Sequence, residues 1–173
     1  MSTHHKIILI GLFLLLMGGV LAAQGKWRAA TEKELTNLLP ARAPVEKEQI
    51  ETDLRTASGI TNGKGKFLAA VVIITAGYAA EGKYSYFLTT QVPVKFGELT
   101  LPAGEYVFGQ RRVDETTIEV KFHEAASGQQ IGTVKAPRGA TRGAIRSILI
   151  APPKGSTGSF SLGRFVFPYT ISE

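Results

Sequence analysis

Only one histidine, His123, lies beyond the first six of the 173 residues, and the chain has no cysteine. That inventory excludes disulfides, zinc–thiolate sites, iron–sulfur clusters and cysteine nucleophiles. His123, Asp114 and one of several serines nominally supply the groups of a Ser-His-Asp triad. The strand phase of His123, shared with Glu119 and Lys121, predicts a solvated outward imidazole instead. Glu119 and His123 stand four apart on a strand, about 13 Å at ~3.3 Å per residue, too far to chelate as a helical pair would. Glu81, Glu98, Glu105, Asp114, Glu115 and Glu119 could furnish the paired carboxylates of a glycan-acting hydrolase. Each reads as an ordinary solvated acid. The run Gly155-Ser156-Thr157-Gly158-Ser159 lacks the strand–helix setting of a nucleophile elbow. It also lacks the lysine of a phosphate-cradling loop, and reads as a flexible connection. No catalytic motif, metal set or cofactor is expected.

Charge carries more information. The chain holds 20 Lys and Arg against 14 Asp and Glu. Residues 125–172 contain no acid, yet hold Lys135, Arg138, Arg142, Arg146, Lys154 and Arg164. Residues 24–124 balance thirteen bases against thirteen acids. A basic block of this kind predicts a surface that meets a polyanion. Residues 1–23 show a short basic start, an apolar run and small residues, the pattern of a cleavable secretory signal. An uncleaved anchor is the other reading, since the apolar run approaches the length that spans a bilayer. Export separates the chain from nucleic acid, so the expected partners are anionic polysaccharide or lipid head groups.

The elements that must position these groups follow from periodicity. Thr31 and Glu34 have the spacing of a capping box, predicting a short helix that stops before Pro40. Pro44 at a first helical turn, with Ile50, Leu54 and Ala57 on one face, predicts a second helix. Residues 24–65 are thus expected as a charged helical flank. The charge-free run from residue 67, rich in β-branched residues, predicts a strand buried on both faces. Alternation then marks strands over residues 84–94, 105–110, 117–124, 130–135, 144–150 and 160–169. A bulge is expected at Gly163-Arg164, and Pro93 predicts an edge near residues 89–93, through which copies could associate. Ile118, Val120 and Phe122 point inward in this reading. The tyrosines and phenylalanines at strand spacing read first as core or cross-strand pairs, and would form a sugar-stacking platform if several stood exposed in a row. About seven short strands with regular turns predict an antiparallel β-sandwich over residues 66–173.

The stretch Leu101-Pro102-Ala103-Gly104-Glu105-Tyr106, with the later Phe122-His123-Glu124-Ala125-Ala126-Ser127-Gly128 hairpin, resembles a feature of small exported bacterial β-sandwich proteins. It is also loosely similar to prealbumin-like (transthyretin-like) domains, in which a Pro-Gly turn precedes a Tyr-containing strand. The resemblance covers residues 84–135. It implies a sandwich fold and an envelope location, and it brings no catalytic residues. The function expected from the whole sequence is an exported, non-enzymatic binding or structural β-domain of the envelope or extracellular space. Recognition of acidic glycan or lipid head groups by the basic block is the second expectation. A hydrolase using paired carboxylates is the third.

Overall fold

A computed structural model describes residues 27–75, 77, 82–140 and 143–171. The expected leader, Glu81 and Arg142 lie outside the described residues. The described residues form one short helix and thirteen strands in two antiparallel sheets, more strands than the seven expected.

Strand β1 (Arg28–Ala29) leads into helix α1 (Glu32–Leu38). The capping box is present. The Glu34 amide donates to the Thr31 hydroxyl at 3.3 Å, and the Glu34 carboxylate accepts from the Thr31 amide at 2.8 Å. The guanidinium of Arg28 binds the same carboxylate through two nitrogens, at 2.9 and 2.7 Å. Together they hold Glu34 down at about 2. Leu39, extended, ends the helix before Pro40.

The second expected helix does not form. Its residues make β2 (Arg42–Val45) and the first part of β3 (Glu48–Thr61), paired through Val45↔Glu48 and Arg42↔Glu51. Four-spaced charge pairs such as Lys47–Glu51 are worth only about 0.2–0.5 kcal/mol in a helix. A strand instead buries Ile50 and Thr52 and gives the backbone partners on either side. Residues 27–65 are therefore no helical flank, because β3 runs within the main sheet.

That sheet has the order β1-β3-β4-β5-β8-β9-β10, with β2 beside β3. Its further members are β4 (Phe67–Ile73), β5 (Tyr86–Thr90), β8 (Gly104–Arg112), β9 (Thr117–Glu124) and β10 (Gln130–Pro137). As expected, β4 is buried on both faces. The second sheet orders β11 (Leu149–Lys154), β12 (Thr157–Leu162), β13 (Phe165–Ile171), β6 (Val94–Phe96) and β7 (Leu99–Leu101).

Four further expectations are corrected. The strand expected from residue 144 begins at Leu149, and residues 155–159 are turn and strand rather than a flexible connection. The single last strand is a hairpin, β12–β13, paired Leu162↔Phe165 through Gly163 at φ +57°. A positive φ costs glycine almost nothing, so a tight turn forms where a bulge was the expectation. Thr89 and Thr90 are not at an edge. They lie on β5 between β4 and β8, and Pro93 falls in the connection to β6.

The two sheets share one core. Phe96 stacks on Phe122 at 5.2 Å between ring centroids, and Phe108 meets Phe160 edge-on at 5.9 Å. Ile118, Val120 and Phe122 do point into this core. Gly158 leaves room for the Tyr169 ring, into which any Cβ would run. The opposite face of the main sheet carries a second core. There Leu35 and Leu39 near α1, and Ala43 and Val45 of β2, cover Ala69, Val71, Phe87 and Val107. The sheets meet at two seams. At one, the Ile150 amide donates to the Ser58 hydroxyl at 2.9 Å. At the other, Arg138 bridges to Phe165, and the Gly139 amide donates to the Arg164 carbonyl at 2.9 Å.

Candidate anion-binding surface

The fold sorts the basic block into three places. Lys135 is exposed on β10, opposite Glu119 in register. Lys154 lies at the β11–β12 turn. Arg138, Arg146 and Arg164 are brought together by the chain segment that runs from β10 to β11 across the β12–β13 turn. The Gly139 amide donates to the carbonyl of Arg164, and the Gly163 amide to the carbonyls of Arg146 and Ser147. Three arginines spread over 27 positions of sequence thus share one end of the molecule. All three are exposed.

Two more arginines join them. Arg112, the last residue of β8, sets its guanidinium 5.6 Å from the Phe165 ring centroid. A guanidinium at that distance is attracted by the ring face and stays oriented. Arg55 stands across a cleft of about 410 Å³ lined by Arg55, Thr56, Ala57, Ile145, Arg146, Ser147 and Ile148. The cleft exists because β3 breaks register between Asp53 and Ser58. In that bulge the Thr56 hydroxyl donates to the Asp53 carbonyl and accepts from the Val72 amide. The cleft lining contains no carboxylate.

Two acids near this end are engaged. Asp53 binds Arg55 through both carboxylate oxygens, at 2.8 and 2.9 Å. Asp114 accepts from the amide and hydroxyl of Thr116, at 2.7 and 2.8 Å, which lowers its pKa. Glu115 is the remaining acid of that turn. Lys135, Arg138, Arg146, Lys154 and Arg164 make no ion pair among the described residues. The sequence pattern singled out Arg138, Arg146 and Arg164 but missed Arg112 and Arg55. Arg111-Arg112 immediately before a turn was the available signal for the former. Nothing local marked the bulge that places Arg55.

The single late histidine corrects another expectation. His123 is 4% exposed, not solvated. It faces the second core, edge-on to the Tyr84 ring at 5.3 Å. Its Nδ1 is buried without a hydrogen-bond partner among the described residues. Burial lowers its pKa first. The charges of Lys83 and Lys121 add to that, against opposing contributions from Glu46 and the Val107 backbone. The Tyr84 hydroxyl donates to Glu46 at 2.5 Å, which lowers the Glu46 pKa. Glu46 sits in the β2–β3 turn at φ +55°, a backbone region that side chains other than glycine rarely adopt. Its own amide donates to the Ala125 carbonyl at 2.7 Å, which ties that turn to the β9–β10 turn. This cluster pins the N-terminal layer onto the main sheet.

No group of three potential metal ligands exists among the described residues, and no described helix is long and apolar enough to cross a membrane. Known family models, curated proteins and solved structures offer no match to the chain.

Proposed function

We propose that this chain is an exported β-sandwich domain, non-enzymatic, that binds a polyanion at its arginine end. The observation that carries the reading is the convergence of Arg138, Arg146 and Arg164 on the β12–β13 turn, with Arg112 oriented on Phe165. Cations that lack carboxylate partners keep their field for an external anion, and clustering raises the local potential. Guanidinium groups also suit the planar, two-oxygen acceptors of carboxylates, sulfates and phosphates. The basic block and the leader pattern support binding outside the cytoplasm, to acidic glycan or lipid head groups. The Leu-Pro-Ala-Gly turn before Tyr106, whose hydroxyl donates back to the Pro102 carbonyl at 2.7 Å, is in keeping with the exported β-domains it resembles.

The experiment is retention on a sulfated matrix. Arg138→Glu with Arg164→Glu is expected to elute at markedly lower salt than the unaltered protein, with its circular dichroism unchanged. Lys135→Glu with Lys154→Glu, which are placed elsewhere, should shift elution less. Equal shifts for the two pairs would mean that net charge, not a built surface, governs retention.

A further inference from the structure

We propose that the arginine end docks on an anionic lipid surface, with Val113 and Ile145 entering the head-group layer. This rests on the polyanion reading and names its partner. Val113 is 50% exposed and Ile145 51%, two of the five large apolar side chains that stand out from the described surface. Register puts both at the arginine end. Val113 opens the β8–β9 turn directly after Arg112, and the Arg138 amide donates to the Thr116 carbonyl in that turn at 2.6 Å. Ile145 adjoins Arg146 in the segment that crosses the β12–β13 turn and lines the cleft facing Arg55.

The combination selects among polyanions. A hydrated acidic polysaccharide engages cations and stacks on flat rings, and gains little from branched aliphatic tips. A lipid surface supplies phosphate at the depth of the guanidinium groups and acyl chain just below, where an aliphatic tip leaves water. The long stems of arginine tolerate the same boundary, burying methylenes while the head stays at the phosphates. Each basic side chain close to an anionic leaflet adds about fivefold in affinity. Arg112, Arg138, Arg146 and Arg164 therefore provide the attraction, and the two aliphatics the selectivity for a bilayer over a soluble polymer. Glu115, the other acid of the same turn, opposes the attraction and marks one point on the rim that stays in water.

The test compares the intact protein and two double variants by co-sedimentation. The probes are phosphatidylglycerol–phosphatidylcholine vesicles, pure phosphatidylcholine vesicles and soluble dextran sulfate. The unaltered protein is expected to pellet with the anionic vesicles only. Val113→Ser with Ile145→Ser should weaken vesicle binding roughly tenfold and leave dextran sulfate binding unchanged. Arg138→Glu with Arg164→Glu should remove both. Dextran sulfate binding with no pelleting on anionic vesicles, or pelleting that the serine variant leaves unaltered, would overturn the lipid docking while preserving the polyanion reading. Loss of neither interaction in the glutamate variant would overturn both. All substituted residues are exposed, and matching circular dichroism confirms that each variant is folded.

Discussion

Phe122 and His123 are neighbours on β9 and look into different interiors. Phe122 enters the core between the two sheets, where it stacks on Phe96 and meets Phe108 at 5.1 Å. His123 enters the core between the main sheet and the N-terminal layer, among Tyr84, Val107 and Ala125. The first interior is lined largely by aromatic and branched aliphatic side chains, and its rings lock two sheets together. The second is smaller and is fastened by polar contacts at its edge: Tyr84 to Glu46, and Lys83 to Glu46 at 3.7 Å. Apolar burial is non-directional and grows with area, so the larger core holds the fold together. Hydrogen bonds are directional and set where the outer layer sits.

Three substitutions sharpen or break this contrast. The largest effect should come from Phe96→Ala, which removes a ring in contact with Phe122, Phe160, Phe167 and Tyr169. A loss of about 3–5 kcal/mol is expected in urea unfolding, the range for deleting a buried phenylalanine. A loss below about 1 kcal/mol would show that the sheets do not depend on that contact.

Leu35→Ala should cost less, about 2 kcal/mol, the lower bound for a buried leucine, because α1 has only seven residues and can shift to refill the space. Hydrogen exchange should locate the damage. Amides of α1 and β2 should lose protection while those of β9 and β12 keep theirs, as separate cooperative units would. Uniform loss across both sheets would make the two interiors one unit.

The smallest effect is the pH dependence of His123. Its folded pKa is depressed below the ordinary value of 6.5, chiefly by burial. As pH falls below about 6.5 the unfolded chain takes up a proton that the folded chain refuses, so stability declines, by at most about 1.4 kcal/mol per pH unit. The lowered carboxylates, Glu34, Glu46, Asp53 and Asp114, titrate at lower pH and act there in the same direction. Thermal unfolding between pH 7 and 5.5 should show this decline in the unaltered protein and a flatter profile in His123→Gln. Identical slopes would assign the decline to another group.

The same contrast explains what could be read before folding. The inner face was legible because Ile118, Val120 and Phe122 alternate with polar residues, and period-two burial needs no knowledge of the partner strand. The capping box at Thr31 and the doubly buried β4 were legible for the same local reason. The outer face was not. Glu119, Lys121 and His123 read as solvated because a strand's second face can be water or protein. Only the return of residues 27–50 over the sheet decided that Glu119 and Lys121 stay near solvent while His123 is covered. The helix expected after Pro44 failed on the same ground: its charge spacing suits a helix, and strand pairing with β2 and β4 outweighed it.

The amino-acid order alone therefore determined a cysteine-free, mainly β chain, its helix cap and its basic last third, since composition, capping and alternation are properties of neighbouring residues. Tertiary structure decided the burial of His123, the strained turn at Glu46 and the second core. It also decided which arginines act together. Arg112, Arg138, Arg146 and Arg164 are distant in the chain, and only hydrogen bonds across the β12–β13 turn and the ring of Phe165 bring them to one end.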